Sequence, residues 1–94
     1  MLAEDPNNSF VRYGLAMEYM KSGGLEAAVS EFRSLQDSDP DYLAAYFHGG
    51  QTLERMGLVE EARDMYERGI EATKRTGDAH SRSELQAALD LLPL

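Results

Sequence analysis

The sequence predicts an all-α protein in which five short helices pack as antiparallel helix-turn-helix repeats, and three observations support this prediction. Ala, Leu, Met, Glu and Arg dominate the chain, and these residues lose little free energy in a helix. The strand-forming residues Val and Ile occur only four times in 94 residues and are isolated from one another. Glycine and proline divide the chain into segments of about 13 to 17 residues, which is an ordinary helix length.

The helix boundaries follow from these glycine and proline breaks. We expect helices, in chain order, at 8–22, 25–37, 42–56, 59–75 and 78–92. The links between them are two to four residues long, and links this short force neighbouring helices to run antiparallel.

The first helix has two apolar faces at helical spacing, and Asn8 is a residue type that caps helix N-termini. One face consists of Tyr13, Met17 and Met20. The other, which we expect to face the core, consists of Leu15, Ala16 and Tyr19.

The second and third helices are separated by a turn that contains Pro40, which cannot continue a helix. Asp41 follows it and is the predicted N-cap of the third helix. The second helix repeats mainly apolar residues at Ala28, Val29, Phe32, Leu35 and Gln36.

The fourth and fifth helices show regular apolar stripes. In the fourth the stripe is Ala62, Met65, Tyr66 and Ile70, and in the fifth it is Leu85, Ala88, Leu89 and Leu92. Asp78 is the predicted N-cap of the fifth helix. Gly23, Gly57 and Gly77 fit the positive φ that is common just past a helix end.

The chain also repeats itself at an offset of 34 residues. Seven pairs match in chemistry, and three of them are identical. The pairs are Tyr13 with Phe47, Lys21 with Arg55, Gly23 with Gly57, Leu25 with Val59, Glu26 with Glu60, Ala28 with Ala62 and Phe32 with Tyr66. A fixed period with matched glycine, alanine and aromatic positions is typical of helical repeat proteins.

Two sets of residues carry a resemblance to the tetratricopeptide repeat (TPR) family. In the first repeat they are Arg12, Leu15, Ala16, Tyr19, Gly23, Ala28, Phe32, Leu35 and Pro40. In the second they are Tyr46, Gly49, Gly50, Leu53, Gly57, Ala62, Tyr66, Gly69 and Lys74. The chain departs from the family pattern at Arg12, where a large aromatic is usual, at Leu35, where Ala is usual, and at Lys74, where Pro is usual.

The resemblance implies a single domain over residues 1–94. Its expected parts are a first repeat at 8–41, a second repeat at 42–76 and a capping helix at 77–92. The small residues Ala16, Gly50, Ala28 and Ala62 would then lie where helices approach closely.

Composition and charge exclude several classes of protein. The net charge is −8, which argues against a nucleic-acid partner because phosphate binding needs clustered Lys and Arg. No apolar run approaches the roughly 18 residues of a membrane span, and the first five residues lack the pattern of a signal peptide. We therefore expect a cytoplasmic protein without a membrane partner. Much of the acidic surplus lies on the fourth helix, at Glu60, Glu61, Asp64, Glu67 and Glu71. We expect these side chains to face outward.

No residue pattern indicates catalysis, a cofactor or a metal. The two histidines, His48 and His80, lack the spacing of metal ligands. The alternating Asp37, Asp39 and Asp41 lack the Gly and Glu that a calcium loop requires. We therefore expect no enzyme, no cofactor and no metal site.

The resemblance further implies a concave groove lined by the first helix of each hairpin. The positions that it assigns to this groove are Phe10, Tyr13, Met17, Met20, Lys21, Ala44, Phe47, Gln51, Glu54, Arg55, Asp78, Ser81, Arg82 and Leu85. The members on the first helix are unusually apolar for a solvent-facing surface, although Met17 and Met20 also fit a place in the core. Tyr13 and Met17 replace the Lys and Asn with which some members clamp acidic C-terminal peptides, so a partner with an apolar or helical segment fits better.

Two functions follow. The first is a non-catalytic protein-interaction module or scaffold whose groove binds a peptide or helical segment of another protein. The alternative is a structural module that forms a homodimer through its N-terminal hairpin, which has no capping helix in front of it.

Overall fold

Five α-helices make up the described part of the computed structural model, which covers residues 8–93. They are α1 (Ser9–Lys21), α2 (Leu25–Ser38), α3 (Leu43–Arg55), α4 (Val59–Thr76) and α5 (Ala79–Asp90). Within that range there is no β-strand. The predicted all-α class and the five helices are confirmed, and every predicted helix end lies within two residues of the observed one.

Successive helices pack against one another along the chain, α1 on α2, α2 on α3, α3 on α4 and α4 on α5. Helices α3 and α5 also touch, so they lie side by side on the same surface of the molecule. This surface, which α1 continues, positions the candidate site.

Side-chain caps begin two of the helices as predicted. The Asn8 Oδ1 atom accepts a hydrogen bond of 3.2 Å from the backbone N–H of Val11, and Asp78 accepts one of 2.9 Å from that of Ser81. The three turn glycines have positive φ, with values of +87° at Gly23, +78° at Gly57 and +73° at Gly77.

The predicted cap at Asp41 is wrong. Helix α3 begins one residue later, its N-cap is Tyr42, and no side chain caps it. The Asp41 carboxylate instead accepts a hydrogen bond of 2.9 Å from Arg75 Nε on α4. A positive partner from the next hairpin therefore occupies the oxygen that a cap would have used.

Buried apolar side chains form two clusters, and the expected small residues Ala16, Ala28 and Ala62 are among them. The first lies mainly between α1 and α2 and contains Ala16, Ala28, Phe32, Leu35 and Ala45. The second lies mainly among α3, α4 and α5, with Val29 from α2, and contains Val29, Tyr46, Leu53, Ala62, Met65, Tyr66, Ala72, Leu85 and Leu92.

Two glycines on the second hairpin allow large side chains to approach the backbone. A Cβ atom added to Gly50 would overlap the Cε1 atom of Tyr66 and lie 2.6 Å from its Cδ1 and Cζ atoms. A Cβ atom added to Gly69 would lie 2.7 Å from the Cβ of Tyr46 and 3.0 Å from a Leu85 methyl carbon. Small residues are therefore required at both places, as was expected for Gly50.

The expectation that Leu15 faces the core is wrong, because its side chain is 43% exposed. Its neighbour Ala16 is fully buried and Tyr19 is half-buried. Helix α1 packs on α2, and no described helix lies against the side that carries Leu15.

The acidic residues of α4 are exposed as predicted, at Glu60, Glu61, Asp64, Glu67 and Glu71. This negative surface lies away from the buried face of the helix, so it does not burden the core with unpaired charge.

Candidate functional site

Two adjoining cavities lie between α3 and α5, and together we call them the α3–α5 groove. The first has a volume of about 310 Å³ and is lined by Leu43, Ala44, Phe47, His48, Ser81, Glu84 and Leu85. The second has a volume of about 440 Å³ and is lined by Phe47, Gln51, Glu54, Tyr66, Glu84, Ala87, Ala88 and Leu91. Phe47 and Glu84 belong to both cavities, which makes them the centre of the groove.

The floor of the groove is aromatic. Phe47 is half-buried, and its ring centroid lies 5.3 Å from that of His48 in an edge-on arrangement and 6.4 Å from that of Tyr66. Tyr66 is fully buried and fixes this arrangement from the α4 side. Because Phe47 is held between neighbouring rings, its exposed part forms a preformed apolar surface.

The α5 wall of the groove is also apolar along one edge. Ala87, Ala88 and Leu91 line it, and the Leu91 side chain is 83% exposed at the end of the helix. An occupant of the cavity that covered this leucine would gain the free energy of burying its apolar surface.

A hydrogen bond between helices fixes the Glu54 carboxylate at the edge of the groove. The Tyr66 hydroxyl donates to its Oε2 atom. Burial, reinforced by the nearby carboxylate, raises the pKa of the Tyr66 hydroxyl well above its ordinary value. The hydroxyl therefore stays protonated and acts as a permanent donor to Glu54.

His48 lines the first cavity and also contacts α1. Its ring centroid is 5.8 Å from that of Tyr13, and its buried Nδ1 atom has no hydrogen-bond partner among the described residues. Burial lowers the pKa of the imidazole, against smaller opposing effects of Gln51 and Glu84. The ring is therefore neutral at physiological pH and serves as an aromatic packing element.

The predicted groove residues of α1 are placed unevenly. Tyr13, Met17 and Met20 are half-buried against the first core cluster, so they contribute to packing as well as to the surface. Phe10 is 66% exposed and Lys21 is exposed. These five residues, which we call the α1 row, line neither cavity.

On α3 the structure brings Ala44, Phe47, Gln51 and Glu54 together in the α3–α5 groove. Arg55 is directed elsewhere, since its guanidinium donates to the backbone oxygen of Met20 at 3.4 Å.

On α5 the groove contains Ser81 and Leu85 but not Arg82, which lines a separate shallow depression with Ser83, Gln86 and Asp90. The offset of 34 pairs Phe47 with Ser81 and Gln51 with Leu85, and all four residues line the groove. It pairs Arg82 with His48, which was not among the groove residues predicted for α3.

Sequence reasoning missed Glu84, Ala88 and Leu91, which α5 contributes to the groove. The offset of 34 pairs Ala88 with Glu54, so the repeat carried a signal for Ala88 and none for the other two.

Residues 8–93 bring together no group of three His, Asp or Glu side chains that could hold a metal ion. None of their helices combines the length and the apolar character of a bilayer-crossing segment.

A family model and a related protein both match this chain as a tetratricopeptide repeat. A family model described as tetratricopeptide repeat matches residues 43–76. A TPR repeat-containing protein of Pseudomonas aeruginosa is 28% identical over 89 residues, which are 95% of this chain and 85% of that protein.

Solved structures are similar over most of the chain. The solution structure of a tetratricopeptide repeat domain protein from Salinibacter ruber superposes with a TM-score of 0.83 at 39% identity, covering 90% of this chain and 86% of that one. A crystal structure of a tetratricopeptide repeat domain protein from the same organism gives 0.80 at 38% identity, covering 87% and 92%. A protein from Bordetella parapertussis gives 0.81 at 33% identity, covering 96% and 78%.

Proposed function

Since the chain belongs to the tetratricopeptide repeat family, we propose that it binds a peptide or helical segment of a partner protein in the α3–α5 groove. Members of this family are in general non-catalytic modules for protein–protein interaction. One observation carries the proposal. The exposed Leu91 and the half-buried Phe47 line the same cavity of about 440 Å³.

The size of the groove favours a short segment over a folded surface. Cavities that take compact ligands measure roughly 300–1,000 Å³, and each of the two cavities lies in that range. Their shared residues Phe47 and Glu84 make them continuous enough for successive side chains of one segment.

The α1 row is proposed as an extension of the same binding surface. Phe10, Tyr13, Met17 and Met20 follow one face of α1, and Lys21 lies at its end. A segment longer than the α3–α5 groove would reach this row across α3, past Gln51 and Arg55.

The proposal can be tested by selecting binders from a random peptide display library with the intact chain as target. The selected peptides are then titrated by fluorescence anisotropy against Leu91→Ala. Leu91 is 83% exposed, so its truncation leaves the fold intact. Loss of a leucine contact of about 2 kcal/mol weakens binding by tenfold or more.

Leu15→Ala is the matched control, because it removes the same group from an exposed leucine outside the groove. Phe47→Ala provides a second groove variant, with its fold checked by circular dichroism. Equal affinity of Leu91→Ala, Leu15→Ala and the parent chain would exclude the groove as the binding surface. Failure of the library to yield any binder would count against the proposal as well.

A homodimer formed through the N-terminal hairpin is the second candidate function. The observation that favours it is the exposure of two large apolar side chains on α1, Phe10 at 66% and Leu15 at 43%. Sedimentation equilibrium at high micromolar concentration tests it. A dimer that dissociates in Phe10→Ala would support this function, and a monomeric parent chain would rule it out.

A further inference from the structure

We infer, building on the groove function proposed above, that the occupant of the α3–α5 groove is a peptide segment in which a lysine or arginine stands beside apolar residues. The apolar side chains would contact Phe47 and Leu91. The basic side chain would lie between Glu54 and Glu84, the two carboxylates that line the same cavity.

The charged side chains that line the groove are negative. Glu54 and Glu84 line it, and no Lys or Arg of the described chain does. The nearest basic residues of α3 and α5 are directed away, Arg55 toward the backbone of Met20 and Arg82 toward a depression outside the groove. The whole chain carries a net charge of −8, which adds to the local negative field.

The carboxylate of Glu54 is held in a fixed position. The Tyr66 hydroxyl holds one oxygen of Glu54, so this side chain needs less ordering when a cation arrives. Glu84 is about half exposed, with His80 Nε2 at 3.5 Å, and can turn toward the occupant.

An aromatic ring lines the same cavity as the two carboxylates. Phe47 contributes its ring to the cavity that both glutamates line. Lysine and arginine bury their aliphatic stems along apolar surfaces while their charged ends remain in water. A cation is also attracted to the face of an aromatic ring within about 6 Å. The combination suits a basic side chain better than a neutral polar one.

Ion pairs and apolar contacts are expected to contribute unequally to the affinity for the peptide. Exposed ion pairs contribute little, about two- to fivefold in affinity for each carboxylate, whereas an apolar side chain that becomes buried contributes tenfold or more. The apolar contacts therefore set the affinity, and the glutamates select a basic segment over an acidic one.

The experiment uses the peptides selected from the random library and titrates them against Glu54→Gln, Glu84→Gln and the double variant. Glutamine keeps an oxygen that can accept from Tyr66, so the fold is preserved. Glu67→Gln is the control, since it removes one charge from the exposed face of α4. Each titration is repeated with the peptide's basic residues replaced by glutamine, at low and at high salt.

We expect the selected peptides to be enriched in Lys and Arg next to apolar residues, relative to the unselected library. The double variant should weaken binding by about five- to twentyfold, while the control stays within about twofold of the parent. High salt should remove most of this difference.

The inference and the function on which it rests fail in different ways. If the double variant binds like the parent while Leu91→Ala still binds weakly, the groove is the binding surface and the basic occupant is refuted. Selected peptides without an excess of Lys or Arg would refute the basic occupant as well. If Leu91→Ala binds as tightly as Leu15→Ala, the groove function itself is refuted.

Discussion

Replacing Gly50 by alanine should destabilise the protein, although alanine is ordinarily the better helix former. The Cβ atom that this change adds would overlap the Cε1 atom of Tyr66 and lie 2.6 Å from its Cδ1 and Cζ atoms. That ring is fully buried, and its hydroxyl is bound to Glu54, so it cannot move aside without breaking a contact.

Two opposing terms give the magnitude. Glycine to alanine in a helix interior is worth about 1 kcal/mol in favour of alanine. Overpacking a well-packed core costs typically about 1–3 kcal/mol, and a clash with an aromatic ring lies at the upper end. The net loss in the free energy of unfolding is therefore about 1–2 kcal/mol.

Gly14→Ala is the matched control, because it is also in a helix interior and its added Cβ would meet nothing within 4 Å. Only the favourable term acts there, so this variant should gain about 0.5–1 kcal/mol. The same chemical change is thus expected to have opposite signs at two positions.

Urea denaturation followed by circular dichroism measures both variants. For a domain of this size each kcal/mol corresponds to about 4–8 °C in Tm, so thermal unfolding should separate the two variants clearly. If Gly50→Ala is as stable as the parent chain or more stable, the close approach of Tyr66 to α3 is not a constraint and the reasoning is refuted.

Three further predictions concern other contacts. Tyr66→Phe removes the donor to Glu54 and should cost about 0.5–1.5 kcal/mol in urea denaturation, an effect that must vanish in a Glu54→Ala background if the bond is its cause. Burial lowers the pKa of folded His48, so the unfolded chain binds more protons and the free energy of unfolding should fall as the pH drops from 7.5 to 5.5; His48→Gln should flatten this decline in urea denaturation, and an unchanged decline would refute this assignment. Asp78→Ala removes the cap of α5 and should lower Tm, whereas Asp78→Asn, which can still accept from Ser81, should not lower it as much.

Local signals in the sequence predict most of the helical framework. Asn8, Asp78 and the glycine of each turn act over a few residues, and each such interaction is visible in the sequence itself. Asp41 shows the limit of such signals. Its residue type suits a cap, but Arg75, distant in sequence, offers a competing partner.

The candidate site is less predictable because it depends on the register of a whole helix. Phe47, Gln51 and Glu54 lie on α3, which begins 34 residues after α1, and all three line the second cavity. Whether they bind a partner stays a prediction. Glu84 and Leu91 lie on α5, and the offset of 34 pairs them with Gly50 and Gly57, which line neither cavity.

Gly69 has a consequence for the groove, although it does not line it. Tyr46 approaches its α-carbon from α3 and Leu85 approaches it from α5, so one hydrogen atom lies where any other residue would place a carbon. A methyl group there would act as a wedge that spreads α5 from α3. The aperture of the groove, and with it the bulk of the side chains that can enter, is thus set from α4, and a single substitution at this position could retune selectivity while every residue of the lining stayed the same.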